Sequence, residues 1–149
     1  MNVTSWRAGD IVDALVALAG TVLPDVQVVD GTNTKLDLKT EAIVIGWSDG
    51  TSASVSSNRG DTGVGARADE DGAVACWLRA SKGKVDLKAR RDEAVAMLTA
   101  IEAALRADPT LGGVVDDAQL GDAIDGLWYA TPDGSTCEIT FSVRYEAYV

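Results

Sequence analysis

The stretch Thr136-Cys137-Glu138-Ile139-Thr140-Phe141-Ser142-Val143-Arg144-Tyr145-Glu146 alternates apolar and polar residues without a break. In an extended chain Cys137, Ile139, Phe141, Val143 and Tyr145 fall on one side and the polar set on the other. This period of two predicts a half-buried antiparallel strand with one core face. Its second face is mixed polar and suits solvent or a neighbouring subunit. Just before it, Pro132-Asp133-Gly134 is a turn signal. Residues 122–130, with Ile124, Leu127, Trp128 and Tyr129, read as the partner strand.

Upstream lies Thr110-Leu111-Gly112-Gly113, and before it Asp108-Pro109. Proline lacks an amide donor and its ring clashes with the preceding turn, so a helix ends there. The helical pattern covers 85–107. Leu87, Arg91, Ala94, Leu98, Ile101 and Leu105 follow three- and four-residue steps and form one stripe, apolar except at Arg91. Lys88, Asp92, Glu93, Thr99 and Glu102 occupy the opposite face. Between Leu120 and the helix end, residues 114–120 suit a short strand or an irregular edge.

The N-terminal half completes the pattern. Asp10 is positioned as an N-cap, with its carboxylate available to a first-turn amide. Ile11, Leu15 and Leu18 follow at helical spacing, and Gly20 and Pro24 bound the end. Residues 26–29 read as a short strand. Residues 41–47 and 51–57 flank Ser48-Asp49-Gly50 and predict a hairpin. Residues 58–72 have no apolar period and read as a long loop. Residues 73–80, Ala-Val-Ala-Cys-Trp-Leu-Arg-Ala, read as a buried strand. The expected architecture is α+β: a mostly antiparallel sheet with two helices packed on one face, plus a long hairpin or loop excursion. One domain over 1–149 accounts for the whole pattern.

Composition narrows the chemistry. The 149 residues include 23 acidic and 13 basic side chains, a net charge of -10. Such a chain repels duplex DNA and anionic membrane surfaces. It has no histidine, hence none of the commonest general base and metal ligand. Cys76 and Cys137 sit in strand patterns and read as small buried thiols in a reducing compartment. Asp10 and Asp13 interrupt any signal-peptide core. The apolar run 11–23 is too short for a bilayer. The expectation is a protein made and used in a cytoplasm, without membrane contact.

The short motifs fail their context tests. Arg59-Gly60-Asp61 is a tripeptide that recurs by chance. Gly63-Val64-Gly65 follows no strand and opens no helix, as a dinucleotide site would require. Asp69-Glu70-Asp71-Gly72 lacks calcium-loop spacing and reads as a solvated turn. Asn2-Val3-Thr4 is a glycosylation sequon that matters only after secretion. Asp116-Asp117 and Asp122 with Asp125 flank strand ends beside glycines, where turns place aspartate. No catalytic, cofactor-binding or metal-binding set is expected, and no enzyme activity.

Charge layout carries more. Arg79, Lys82, Lys84, Lys88, Arg90 and Arg91 cluster around the start of the main helix. Beyond Arg106 the basic residue is Arg144, against Asp108, Asp116, Asp117, Asp122, Asp125, Asp133, Glu138 and Glu146. A basic edge on one subunit can meet an acidic edge on the next, and such head-to-tail contacts close into rings.

The chain resembles the tail terminator proteins of long-tailed (siphovirus-type) phages of actinobacteria. The resemblance spans nearly the whole chain. It is carried by residues 73–80, the Gly83 turn, Arg90-Arg91, the run from Leu105 to Gly113, Asp133-Gly134 and Ile139-Thr140-Phe141-Ser142-Val143. It implies a ring-forming subunit, a homohexamer that caps the completed tail tube and ends its polymerisation. Such a ring joins the tail to the head-side connector or head-completion protein and contacts the major tail tube protein. Genomic DNA passes through its acidic lumen without specific binding. The location implied is the virion, after assembly in the bacterial host cytoplasm. The family's hairpin excursion corresponds to 47–72. The contact residues expected for subunits and partners are therefore Trp47, Arg59, Asp61, Arg67, Arg79, Lys82, Lys84, Arg90 and Arg91. The alternatives are another phage neck protein (head- or tail-completion) and a small divalent-cation or ligand-binding domain using 61–72.

Overall fold

The computed structural model describes residues 6–33, 38, 40–61 and 68–148. In chain order the elements are α1 (Ala8–Val22), β1 (Gln27–Asp30), β2 (Glu41–Ile45), β3 (Val55–Asp61), β4 (Ala68–Lys82), α2 (Leu87–Ala107), β5 (Asp117–Leu120), β6 (Asp125–Thr131) and β7 (Gly134–Tyr148). The expected α+β class holds: a seven-stranded, mostly antiparallel sheet carries both helices on one face. The spine is the antiparallel pair β4 and β7, in register from Asp69 opposite Tyr148 to Lys82 opposite Ser135.

Each spine strand has a different neighbour along each half. β2 flanks the C-terminal half of β4 and β3 its N-terminal half. β6 flanks the first half of β7 and β5 the second. β1 adds to β2 in parallel.

The alternation at 136–146 has its expected consequence. Cys137, Ile139, Phe141, Val143 and Tyr145 are all buried and face the helices. Opposite them on β4, Val74, Cys76, Leu78 and Ala80 complete the sheet side of the core. Both cysteines are free and buried, and burial pushes the Cys76 thiol up to about 12.

The helices match in place but differ in phase. On α2 the buried stripe is Arg90, Ala94, Met97, Ile101 and Leu105. Leu98 and Arg91 are only half-buried. The stripe is thus turned by about a quarter turn from Arg91 and Leu98 toward Arg90 and Met97. Asp86 caps the helix by accepting from the Ala89 amide at 3.0 Å. At α1, Asp10 is not the cap. Arg7 holds that position, and its amide donates to the Glu70 carboxylate at 3.1 Å. An acceptor supplied by the sheet lets the helix begin a turn earlier, which places Asp10 in that first turn beside Arg7.

Two expectations about the middle of the chain are corrected. The hairpin between 41–47 and 51–57 does not form. β2 lies between β1 and β4, with Ala42, Ile43, Val44 and Ile45 all buried, so no side is left for β3. The intervening turn is closed by Asp49, which accepts from the amides of Thr51 and Ser52 at 2.8 and 2.9 Å. Those bonds hold its carboxyl well below the usual range. The long loop at 58–72 is also mostly strand. Residues up to Asp61 and from Ala68 pair as β3 and β4, from Val55 opposite Val74 to Asp61 opposite Ala68. The N-terminal half of β4 is laddered on both sides, so backbone bonds hold a segment that lacks an apolar period. Glycosylation sequon Asn2-Val3-Thr4, Gly63-Val64-Gly65 and Arg67 lie outside the described residues.

No described helix is long and apolar enough to cross a membrane.

Candidate functional site

Side chains alternate across a strand, so every spine residue facing away from the helices lines a second face. That face carries no helix among the described residues. On β7 it presents Glu138, Thr140, Ser142, Arg144 and Glu146, and on β4 Asp71, Ala73, Ala75, Trp77 and Arg79. At one end the strands form an open groove of about 490 Å³. Asp71, Asp117, Asp122 and Glu146 line it around a single guanidinium, Arg144. Arg144 reaches Asp122 at 3.4 Å, and both side chains are exposed. Four carboxylates against one cation leave the groove negative. Asp71, Glu146 and Asp117 form one cross-strand row over β4, β7 and β5, with Asp122 just after β5, and no group of side chains placed to hold a metal ion occurs among the described residues.

Behind this groove, on the helix side, sits Glu70. It is 1% exposed, and in the sequence it looks like part of a solvated turn. Tyr145 donates to it at 2.7 Å and the Arg7 amide at 3.1 Å. Arg59, its register partner on β3, approaches at 3.7 Å. Ser57 contacts the Tyr145 hydroxyl at 2.6 Å, and the Trp6 indole donates to Ser57 at 2.9 Å. Gly72 makes this arrangement possible. A Cβ there would lie 2.6 Å from the Ser56 carbonyl and 2.8 Å from the Tyr145 ring. Parity was the available signal: Glu70 is six residues from Cys76, so a strand extended that far puts both on the core face. The set ties α1 to three strands, and its chemistry is structural.

The residues expected to make contacts separate into several places. Trp47 follows β2, is half-buried, and donates its amide to the Ala75 carbonyl at 2.8 Å. Arg59 pairs with Glu70, and Asp61 ends β3. Arg79 faces the open side and donates to the Leu38 carbonyl at 3.0 Å. Lys82 bonds Glu93 at 3.1 Å. Lys84 is exposed, and its carbonyl accepts from Ser135. Arg90 is a correction: it is buried at 5% exposure and pairs with the same Glu93 oxygen at 3.0 Å. Turning the helix stripe by one residue moved it from the surface to the core. Arg91 lies 5.3 Å above the Trp128 ring.

The basic helix start and the acidic C-terminal hairpin are therefore neighbours within one chain. Lys82, Arg90 and Lys88 are answered by Glu93 and Asp92, and Arg91 by an indole. They do not make a free basic edge set against a distant acidic one.

The chain matches no protein-family model and no curated protein.

The largest apolar exposure belongs to β6. All seven of its residues are exposed, including Leu127, Trp128 and Tyr129. Ile124, just before the strand, is exposed too. The sequence placed these residues on a strand but left open which element would cover them.

Proposed function

We propose that this chain is a structural assembly subunit of the tail terminator kind: a ring that caps a phage tail tube, ends its polymerisation and joins it to the head-side connector. The observation that carries the reading is the second face of the sheet, which carries no helix among the described residues, with its negative groove around Asp71, Asp117 and Glu146. A surface of that sign repels phosphate, so it suits the wall of a channel through which duplex DNA slides. The resemblance along residues 73–80, 105–113, 133–134 and 139–143 supports the same reading. Within it, six subunits close the ring head to tail, and the long hairpin of β3 and β4 is the excursion toward subunit or tube. The ring belongs to the virion neck and acts by shape and charge, with no reaction to catalyse.

The test is imaging of the purified protein by negative stain, alone and with tail tube subunits, alongside native mass spectrometry. Six-membered rings, or capped tubes of uniform length, are the expected result. A protein that neither forms rings nor changes tube length overturns the proposal. Rings that bind a head connector but leave tube growth unchanged would favour a head-completion protein of the neck instead.

A further inference from the structure

We propose that β6 is a self-association edge, by which two copies of this chain pair antiparallel about Trp128. Within the described residues β6 is laddered on one side alone, by β7. Its outer edge presents backbone donors and acceptors, and side chains of both faces are exposed. Natural edge strands are usually protected by lysine, proline or a bulge. β6 reads Asp-Gly-Leu-Trp-Tyr-Ala-Thr: its one charge is Asp125 at the very start, and it contains neither lysine nor proline.

The occupant follows from the strand's own order. In an antiparallel pairing centred on Trp128, all seven residues find a partner. Leu127 of each copy faces Tyr129 of the other, giving two aliphatic–aromatic pairs on one face. Trp128 meets its own copy on the other face, with Gly126 opposite Ala130 on either side. Aromatic and aliphatic cross-strand pairs of this kind stabilise a sheet. The small residues leave room for two indoles: each ring already leans over its own Gly126, where a Cβ would lie 3.3 Å away. Asp125 faces Thr131, so the strand's one charge does not meet itself. Moving the centre to Leu127 or Tyr129 leaves two residues of each strand unpaired and sets Trp128 against a glycine or an alanine.

Charge disfavours other occupants. Asp122, Asp125 and Asp133 border the strand, which excludes nucleic acid and anionic lipid. Arg91 sits over its own Trp128, so the cation nearest the axis is already matched to a ring face.

The contact is isologous and closes at two copies. It is separate from the head-to-tail contacts of a ring, and it stands or falls without them. Six half-exposed side chains fall short of the roughly 1,200 Å² at which standard stable interfaces begin, so the association is weak and concentration-dependent.

The experiment is sedimentation equilibrium over a concentration series, combined with disulfide trapping. The mass is expected to rise with concentration, from the 15.5 kDa of one chain toward twice that value, or from one closed ring toward a pair of rings. Leu127→Lys, at an exposed position, is expected to show no such rise over the same range, with an unchanged circular dichroism spectrum. Directly opposed residues lie at disulfide distance, whereas residue 127 and its own copy are about 8 Å apart. Mixing Leu127→Cys with Tyr129→Cys and oxidising gently is therefore expected to give a cross-linked dimer, and each variant alone far less. A wild type whose mass does not rise with concentration, a Leu127→Lys variant that rises equally, or single variants that cross-link as fast as the mixture each overturn the pairing. Rings that persist in Leu127→Lys leave the terminator reading intact while this one is judged by the trapping result.

Discussion

The phenol of Tyr145 donates to the carboxylate of Glu70 at 2.7 Å, joining the last strand to the start of β4 inside the core. The hydroxyl is also held by Ser57, which in turn accepts from Trp6. A buried carboxylate is tolerable when its oxygens are met by donors. Tyr145→Phe removes one of them and is expected to lower stability by about 1–3 kcal/mol. Urea unfolding checks this; a loss near zero would mean that the Arg7 amide and Arg59 suffice for Glu70.

The same hydroxyl sets a pH limit. Burial, and secondarily the bond to Glu70, pushes its pKa from 10.0 up to about 12, while the bond from Ser57 works the other way. The folded pKa is raised, so the unfolded chain loses its proton first as pH climbs. The contribution is complete below pH 10.0 and is lost through about 12. Stability of the wild type is expected to fall across that window, and Tyr145→Phe to fall less. Equal slopes in the two proteins would contradict the assignment.

The phase of α2 can be read by comparing two truncations. Ile101 is 2% exposed and Leu98 half-buried. Ile101→Ala is expected to cost about 2–5 kcal/mol. Leu98→Ala is expected to cost clearly less, because part of its surface is already in water. Equal losses in thermal denaturation would return Leu98 to the core stripe.

What the sequence made legible follows the strength of its periods. β7 alternates from Thr136 to Glu146, and that part is readable residue by residue. The end of α2 at Asp108 was equally plain, since proline cannot continue a helix. The phase of α2 was not, because Arg90 lies in the core paired to Glu93, and a charge at a core position breaks the stripe. β3 and the first half of β4 were hidden for a different reason. Their order comes from backbone ladders, on both sides of β4 and on one side of β3, which leave no mark in local composition. For the site, the polar second face was legible from alternation, but the groove depends on β5, β4 and β7 meeting, a long-range fact. Glu70 was misread because a buried carboxylate looks in sequence like any acidic turn.

Two glycines separate backbone need from chance. Gly72 lies against the Ser56 carbonyl and the Tyr145 ring, and an added Cβ would overlap both. Gly72→Ala is expected to destabilise by about 1–3 kcal/mol through overpacking. Gly20 lies within α1, is exposed, and has open space around the Cβ position. Gly20→Ala is expected to stabilise by about 0.5–1 kcal/mol, by the helix preference of alanine. Midpoints of denaturant curves for the two variants should move in opposite directions.

The negative groove supplies the last prediction. If Asp117 and Glu146 face a channel for duplex DNA, reversing their sign turns a sliding surface into a holding one. Each lysine that meets a phosphate releases counterions, so the new affinity falls steeply with salt, with a slope of about 0.9 per phosphate contact. Asp117→Lys combined with Glu146→Lys is expected to bind duplex DNA in fluorescence anisotropy at low salt, where the wild type does not. Asp92→Lys with Glu102→Lys, on the outward side of α2, changes the net charge equally and serves as the control. In assembled rings, DNA held by the groove variant should resist nuclease, and DNA held by the control should be digested. Equal protection in both would show that the second face of the sheet does not line the channel.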